Sequence, residues 1–308
     1  MPDFFQLNVG QGVQSERGTW YRNIQFLGSG GNAITYLVLC TSGDLKGLPF
    51  ALKVFRVISR EERKSKFMAE REFLENACSH PSIMRVFDSG VFRNGPKEEF
   101  PFVVTEYLPR TFRELIRGQS ATIVEKISYV LQLLSALSYL NGLPTPVVHR
   151  DIKPENIFLK GQSCVLGDFG LMKLIDGKDE VDRDIFKESV GPGMPFFYRT
   201  PDLIAYAKHE TGITTKSDVF QLGLVAAELF TGRNPAIPPE GDDFLSPLAL
   251  EEIKWIQGSL GSGIARLIKR MLMMNPDERS PASQFLDPWQ GVFDDAVTRA
   301  HELEGKAF

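Results

Sequence analysis

The chain has 308 residues, 43% of them hydrophobic and 24% charged, with a formal net charge of −4. That length can bury one large core or two modest lobes, and the mild acidity gives no general electrostatic case for nucleic acid or an anionic membrane. No run reaches the ~18 apolar residues of a spanning helix, and the opening MPDFFQLNVGQG lacks a basic segment ahead of a long apolar one.

Residues 1–19 are polar and rich in Gly and Gln, and read as a loosely held arm. Strand-like patterns follow at 21–27, 34–41 and 49–55, broken by Gly30-Gly31 and by Thr41-Ser42-Gly43-Asp44. Ser59 with Glu62 forms a capping box for a helix that runs to about Cys78, before Pro81. Two more strands are predicted at 83–87 and 100–107, separated by Arg93-Asn94-Gly95-Pro96. Five strands and one helix make a small β-rich lobe. Beyond Pro109 the period changes, and Val124, Ile127, Val130, Leu131, Leu134, Leu137 and Leu140 recur at three and four, the pattern of a long amphipathic helix. Short apolar runs at 147–148, 157–159 and 164–166 are predicted strands. VFQLGLVAAELF, 219–230, is apolar nearly all round and predicts a helix buried in a core. A further helix is expected over 264–274, ended by Asn275-Pro276, and 291–308 reads as a short helix or tail. Cys40, Cys78 and Cys164 lack metal spacing and read as reduced thiols filling the interior of a cytoplasmic globular protein.

The chemistry concentrates in His149-Arg150-Asp151-Ile152-Lys153-Pro154-Glu155-Asn156, followed by Asp168-Phe169-Gly170. These residues fall on loops between short strands, where a rigid scaffold presents functional groups. Two acids and an amide at this spacing suit a proton acceptor beside hard oxygen ligands for a hard cation. The turn Leu27-Gly28-Ser29-Gly30-Gly31-Asn32-Ala33 lies between two strands, where glycine lets backbone N–H groups approach phosphate oxygens. A Gly-rich hairpin with no ligand has the same composition. In Phe50-Ala51-Leu52-Lys53 alternation puts Ala51 and Lys53 on one face; a lysine there can grip phosphates as a point charge or simply lie in water. Glu70 and Glu72 compete as its carboxylate partner. Helical phase favours Glu70, which shares the inward stripe of Phe67, Leu74 and Ala77, whereas Glu72 lies with Ser65, Glu75 and Asn76.

The run HRDIKPEN followed by DFG resembles the signature of eukaryotic-type Ser/Thr protein kinases, over about residues 21–290. The resemblance implies an α+β bilobal fold, a small five-stranded antiparallel N-lobe with one helix (20–107) and a larger, mainly helical C-lobe (108–290), flanked by the arm (1–19) and tail (291–308). It implies ATP and Mg²⁺ (Mn²⁺ as substitute), bound in the cleft, and a protein substrate, with a transient dimer for phosphorylation in trans. Asp151 would take the hydroxyl proton, Lys153 would neutralise the γ-phosphate, and Asn156 and Asp168 would hold the metal. Lys53, oriented by Glu70, would grip the phosphates under a loop made of Gly28, Ser29, Gly30, Gly31 and Ala33. Ala51, Phe158 and the gatekeeper Thr105 join the nucleotide-binding set, with hinge bonds from the main chain of Glu106 and Leu108. His149 and Phe169 would be packing residues, and Arg150 a partner for a phosphate, with Ser189 the candidate phosphosite. Thr200-Pro201-Asp202 stands in place of Ala-Pro-Glu and would pair with Arg279, and Asp218 would brace the loop from below.

The pattern also departs from the family. Ala33 replaces the third glycine, Asn32 the aromatic tip, and Gly193-Met194-Pro195 stands where Gly-Thr-Pro is usual. Two rivals therefore stay open, a pseudokinase acting as a nucleotide-gated binding module and a small-molecule phosphotransferase of the same fold.

Overall fold

Alternating apolar and polar residues build a six-stranded antiparallel sheet at the N-terminal end of the chain. The computed structural model describes residues 6–30, 33–55, 71–73, 75, 79–94, 98–169, 172–175, 183, 198–236 and 260–304. The chain divides into two compact units, Met1–Ser79 with Ile83–Pro109, and His80–Ser82 with Arg110–Phe308.

In the first unit the strands are β1 (Gly12–Gln14), β2 (Trp20–Ser29), β3 (Ala33–Cys40), β4 (Pro49–Phe55), β5 (Val86–Asn94) and β6 (Glu98–Glu106). Their order is β1-β2-β3-β4-β6-β5. On β4 the side chains of Phe50, Leu52 and Val54 are buried while Ala51, Lys53 and Phe55 are half-buried on the other face. The buried face joins Val13, Tyr21, Tyr36, Val38, Phe102 and Val104 in one core.

All five expected strands are present, and the sheet takes in a sixth. The arm is not loose over its whole length: Val13 is buried, and Gly12–Gln14 pairs with 20–22. Leu7 is also buried, its N–H donating to Tyr36 Oη at 3.1 Å and its carbonyl accepting from Asn23 Nδ2 at 2.8 Å. Composition could not show this, because Leu7, Val9 and Val13 stand among polar residues and glycines, and only Leu7 and Val13 of the three are buried. The strand expected at 83–87 starts at Val86 and runs to Asn94. Its neighbours 80–82 belong to the second unit, where the Ser82 carbonyl accepts from the Leu166 N–H at 2.9 Å. Gly90 sits where a Cβ would lie 2.6 Å from the Phe102 ring and 3.2 Å from Ser15 Cα, so only glycine fits between strand and arm. The proposed capping pair Ser59 and Glu62 lies outside the described residues.

The second unit is mainly helical: α1 (Phe112–Gly118), α2 (Ile123–Asn141), α3 (Pro201–Ala207), α4 (Lys216–Thr231), α5 (Gly261–Met271) and α6 (Ser283–Glu304). Short strands β7 (Val147–Val148), β8 (Ile157–Lys160), β9 (Ser163–Leu166) and β10 (Lys173–Leu174) form two small antiparallel pairs. α2 starts at a capping box that the 3–4 pattern does not reveal: Thr122 Oγ1 accepts from the Glu125 N–H, and Glu125 reaches back to the Thr122 N–H at 2.7 Å. Among the described helices, α2 is long and apolar enough to cross a membrane, yet its residues Ile127, Leu134 and Ala136 are fully buried against protein. α4 is buried from Ser217 to Leu229, as its composition requires, and ends at Gly232 with φ 79°.

The C-terminal end differs from expectation. α5 stops at Met271, and residues beyond 290 continue one helix that begins at Ser283. Trp289 anchors it, fully buried and stacked on Phe230 of α4 at 6.1 Å between ring centroids. Trp289→Ala is expected to cost about 3–5 kcal/mol, read as a lower denaturant midpoint; an unchanged midpoint would separate α6 from the core.

Candidate active site

In the second unit, β7 delivers the chain into 149–153, a single 3₁₀ turn follows at Pro154–Asn156, and the β8–β9 hairpin leads to Gly167-Asp168-Phe169. The segment has little regular structure, so its backbone groups need partners from elsewhere. α4 supplies them. Asp218, in the first turn of α4, accepts the N–H groups of His149 at 2.7 Å and Arg150 at 2.9 Å. Gln221 accepts the Ile152 N–H at 3.0 Å and donates to the carbonyls of Arg150 and Tyr198 at 3.1 and 2.9 Å. This support holds Arg150 at φ 68°, a left-handed conformation that a non-glycine residue adopts only when its surroundings enforce it. Asp168 also adopts the left-handed conformation, at φ 58°.

Asp151, Lys153 and Asn156 converge. Lys153 Nζ donates to both Asp151 oxygens at 2.9 and 2.8 Å, and Asn156 Nδ2 donates to Asp151 Oδ2 and to its carbonyl, each at 2.8 Å. The Asn156 carbonyl accepts the Gly167 N–H at 2.8 Å, which ties the turn to the residue before Asp168. Burial pushes the Asp151 pKa up, with the negative charge of Asp168 acting the same way, while Lys153 and Asn156 pull against them. Asp151 is itself only 7% exposed. His149 lies beneath: Nε2 bonds the Gly167 carbonyl at 3.0 Å, Nδ1 accepts from the Asp151 N–H at 3.3 Å, and the ring meets Phe169 edge-on at 4.5 Å. The imidazole therefore packs rather than reaches outward. Arg150 is fully buried, one of its donors resting on the Met172 carbonyl at 3.1 Å. Phe158, on β8, is half-buried and bridges to Thr111.

Asn156 and Asp168 fit a magnesium ion by chemistry. The Asn156 amide nitrogen is committed to Asp151, which leaves its oxygen as the side-chain atom with cation-ligand character. Among the described residues no three His, Cys, Asp or Glu side chains form a metal cluster. A nucleotide-bound Mg²⁺ does not require one, since it takes one or two protein oxygens beside phosphates and waters.

In the first unit, one hydrogen-bonded row runs Gly28, Thr35, Lys53, Val103 across β2, β3, β4 and β6. Gly28 and Lys53 are thus two strands apart, about 10 Å. Ala51, on the Lys53 face, pairs with Thr105, and Glu106 pairs with Phe50. The turn after Ser29 closes through the Gly30 N–H on the Ala33 carbonyl at 2.8 Å. Leu108 is half-buried beyond the end of β6. Glu70, Gly31, Ser189 and Gly193-Met194-Pro195 lie outside the described residues.

Two ionic groups, one buried and one half-buried, complete the second unit. Arg279, at 0% exposure, meets Asp202 at 3.2 Å and also donates to the carbonyls of Met273 and Lys216, the pairing expected from 200–202. The other was missed. Arg113 of α1 donates to Glu155 at 2.7 Å, Glu228 at 2.5 Å and Tyr198 Oη at 2.9 Å, and the Tyr198 hydroxyl donates to Glu228. One signal was available: Glu228 sits inside a helix apolar on all sides, where a carboxylate requires a partner. Which of the chain's 35 lysines and arginines supplies it is not readable from spacing.

A family model described as the protein kinase domain matches residues 21–289. Similar curated proteins include a probable serine/threonine-protein kinase of Dictyostelium discoideum, 27% identical over 79% of this chain and 22% of its own length. Protein kinase gsk31 of Schizosaccharomyces pombe is 30% identical over 78% of this chain and 59% of its length. The probable serine/threonine-protein kinase PknB of Bifidobacterium longum is 29% identical over 71% and 31%. The chain thus spans from about a fifth to three fifths of the length of these relatives.

Burial pushes Asp218 from the ordinary 3.8 up to about 7, against the opposing pull of the two N–H donors and of Arg150. A raised carboxyl pKa in the folded state contributes stability that is present below 3.8 and lost as pH rises through 7. Unfolding curves are therefore expected to show the native chain losing stability relative to Asp218→Asn across that window. Parallel pH profiles for the two proteins would refute the assignment.

Proposed function

The chain belongs to the protein kinase family and has its bilobal α+β fold, and from that premise we propose that it transfers the γ-phosphoryl group of ATP to serine or threonine hydroxyls of proteins. The observation that carries the reading is Asp151, buried and held between Lys153 and Asn156. In the proposed reaction Asp151 accepts the proton of the attacking hydroxyl as its oxygen bonds to the γ-phosphorus. The bond to the β–γ bridging oxygen breaks, and ADP leaves. Lys153 moves from Asp151 toward charge developing on the γ-phosphate. Asn156 and Asp168 would hold Mg²⁺, which when bound would supply charge neutralisation on the phosphates. Lys53, with Glu70 orienting it, grips the remaining phosphates, and the Gly28-to-Ala33 turn covers them with backbone N–H groups. Ala51, Phe158, Thr105 and the main chain of Glu106 and Leu108 bind the base. Positioning and electrostatics do the catalysis, with no covalent intermediate.

Several features favour protein hydroxyls over small molecules as acceptors. The Asp202–Arg279 pair and Lys153 accord with protein kinases, and two of the relatives are named as probable serine/threonine-protein kinases. Ser189 is the hydroxyl residue between Gly170 and Tyr198, so phosphorylation there is proposed as the activating modification.

Incubation with labelled ATP, Mg²⁺ and a generic basic protein tests the reading. Asp151→Asn is expected to transfer label about 10²–10⁴-fold more slowly than the native chain. Equal labelling by both would sink Asp151 as the base; ATP binding without transfer by either would favour a binding module. Mass spectrometry is expected to find phosphate on Ser189, and an unmodified Ser189 in fully active protein would remove that part.

A further inference from the structure

The turn after β1 is firmly seated. The Ser15 N–H donates to the Thr19 carbonyl at 2.9 Å, and the Thr19 N–H returns to Ser15 Oγ at 3.1 Å. The Glu16 N–H donates to the Ser89 carbonyl of β5 at 3.0 Å. The seat is the close approach at Gly90, where Ser15 Cα would lie 3.2 Å from any added Cβ. β1 lies at one edge of the sheet and β5 at the other, so this turn joins its two ends.

From that base two adjacent side chains of opposite sign reach the helical residues 71–73 and 75. Glu16 accepts from Arg71 Nη1 at 2.9 Å, and Arg17 Nη2 lies 3.5 Å from Glu75 Oε2 while Nη1 donates to the Phe87 carbonyl. Residues four apart on a helix share a face. A minus–plus pair on the turn therefore meets a plus–minus pair on the helix. Arg71 and Glu75 could have paired with each other along the helix, and instead both are drawn to the turn. Their side chains are only 14% and 12% exposed, and Arg71 Nε and Glu75 Oε1 have no hydrogen-bond partner among the described residues. Such groups depend on the ion pairs they do make.

We propose that residues 15–17 form a strap that positions the 71–75 segment, and with it Glu70, which directly precedes Arg71 in the chain. The proposal rests on the kinase reading for its consequence, the orientation of Lys53 by Glu70, but its structural half stands apart from that reading. Glu16 and Arg17 are positioning residues, and neither touches a reacting group.

A charge-swap cycle tests it, with Glu16→Arg, Arg71→Glu and the double variant compared for amide exchange over 71–75, ATP affinity and transfer rate. Glu16→Gln, a milder change, guards against a reversal that fails to fold. Each single reversal is expected to speed exchange and weaken ATP binding and transfer by about two- to fivefold, the range of a partly exposed pair, and the double variant is expected to restore all three. Exchange that is unmoved by the single variants, or a double variant no better protected than either single, would overturn the strap whatever the activity. Faster exchange with unchanged ATP affinity and transfer would overturn the link to Glu70. A native chain that binds ATP without transferring phosphate would count against the proposed function alone, because exchange and ATP affinity still decide the strap.

Discussion

The carboxylate of Asp218 carries the loop on which the candidate chemistry depends. A buried carboxylate is costly unless hydrogen bonds offset its lost hydration. Here two backbone N–H groups and the N-terminal turn of α4 provide part of that offset, although burial still raises the Asp218 pKa to about 7. In return the loop gains a fixed conformation at Arg150 that its own sequence would not choose. Gln221, one turn further along the same helix face, adds three more bonds and extends the support to Ile152 and Tyr198. Asp151, Lys153 and Asn156 are therefore arranged by a helix that contributes no group to them directly.

The same arrangement appears in two other ionic groups of the second unit, one half-buried and one buried. Arg113 gathers Glu155, Glu228 and Tyr198 from three separate stretches of chain, and Arg279 gathers Asp202 with the carbonyls of Met273 and Lys216. Buried ion pairs are weak sources of net stability, because desolvation cancels most of the Coulomb gain. Their effect here is geometric. Burial depresses Arg279 against the opposing pull of Asp202, yet the guanidinium fork still ends on several acceptors at once. Each cluster fixes segments that hydrophobic contact alone would let slide.

How much of this was legible depends on whether the partner is near in sequence. Period-2 alternation marks β3 and β4 because both faces are decided within the strand, and the run 219–230 marks α4 because every side of it is apolar. Motif spacing brought Asp151, Lys153 and Asn156 together in advance, since they lie within six consecutive residues. Tertiary partners were invisible. β1 is recruited by a strand edge, β5 starts late because 80–82 belong to the other unit, and α6 continues past 290 because Trp289 is buried against Phe230. Glu228 announced a need for a cation but could not name Arg113, which precedes it by more than a hundred residues.

In the first unit the corresponding constraint is register. Lys53 shares the half-buried face with Ala51 and Phe55, while Phe50, Leu52 and Val54 fill the core. A slip of one residue would exchange these sets, placing an ammonium among Tyr21, Val38 and Phe102 and exposing three large apolar side chains. That penalty pins β4, and through the ladder it pins Thr35 and Gly28 in the same row. β2 needs further adjustment to reach that row. Its register shifts twice, between Asn23 and Gln25 and between Phe26 and Gly28, and each shift adds twist and re-aims the strand end. The glycine turn is therefore aimed by irregularities upstream of it. The bulged strand and the core beneath β4 together decide where its Gly28 end lies.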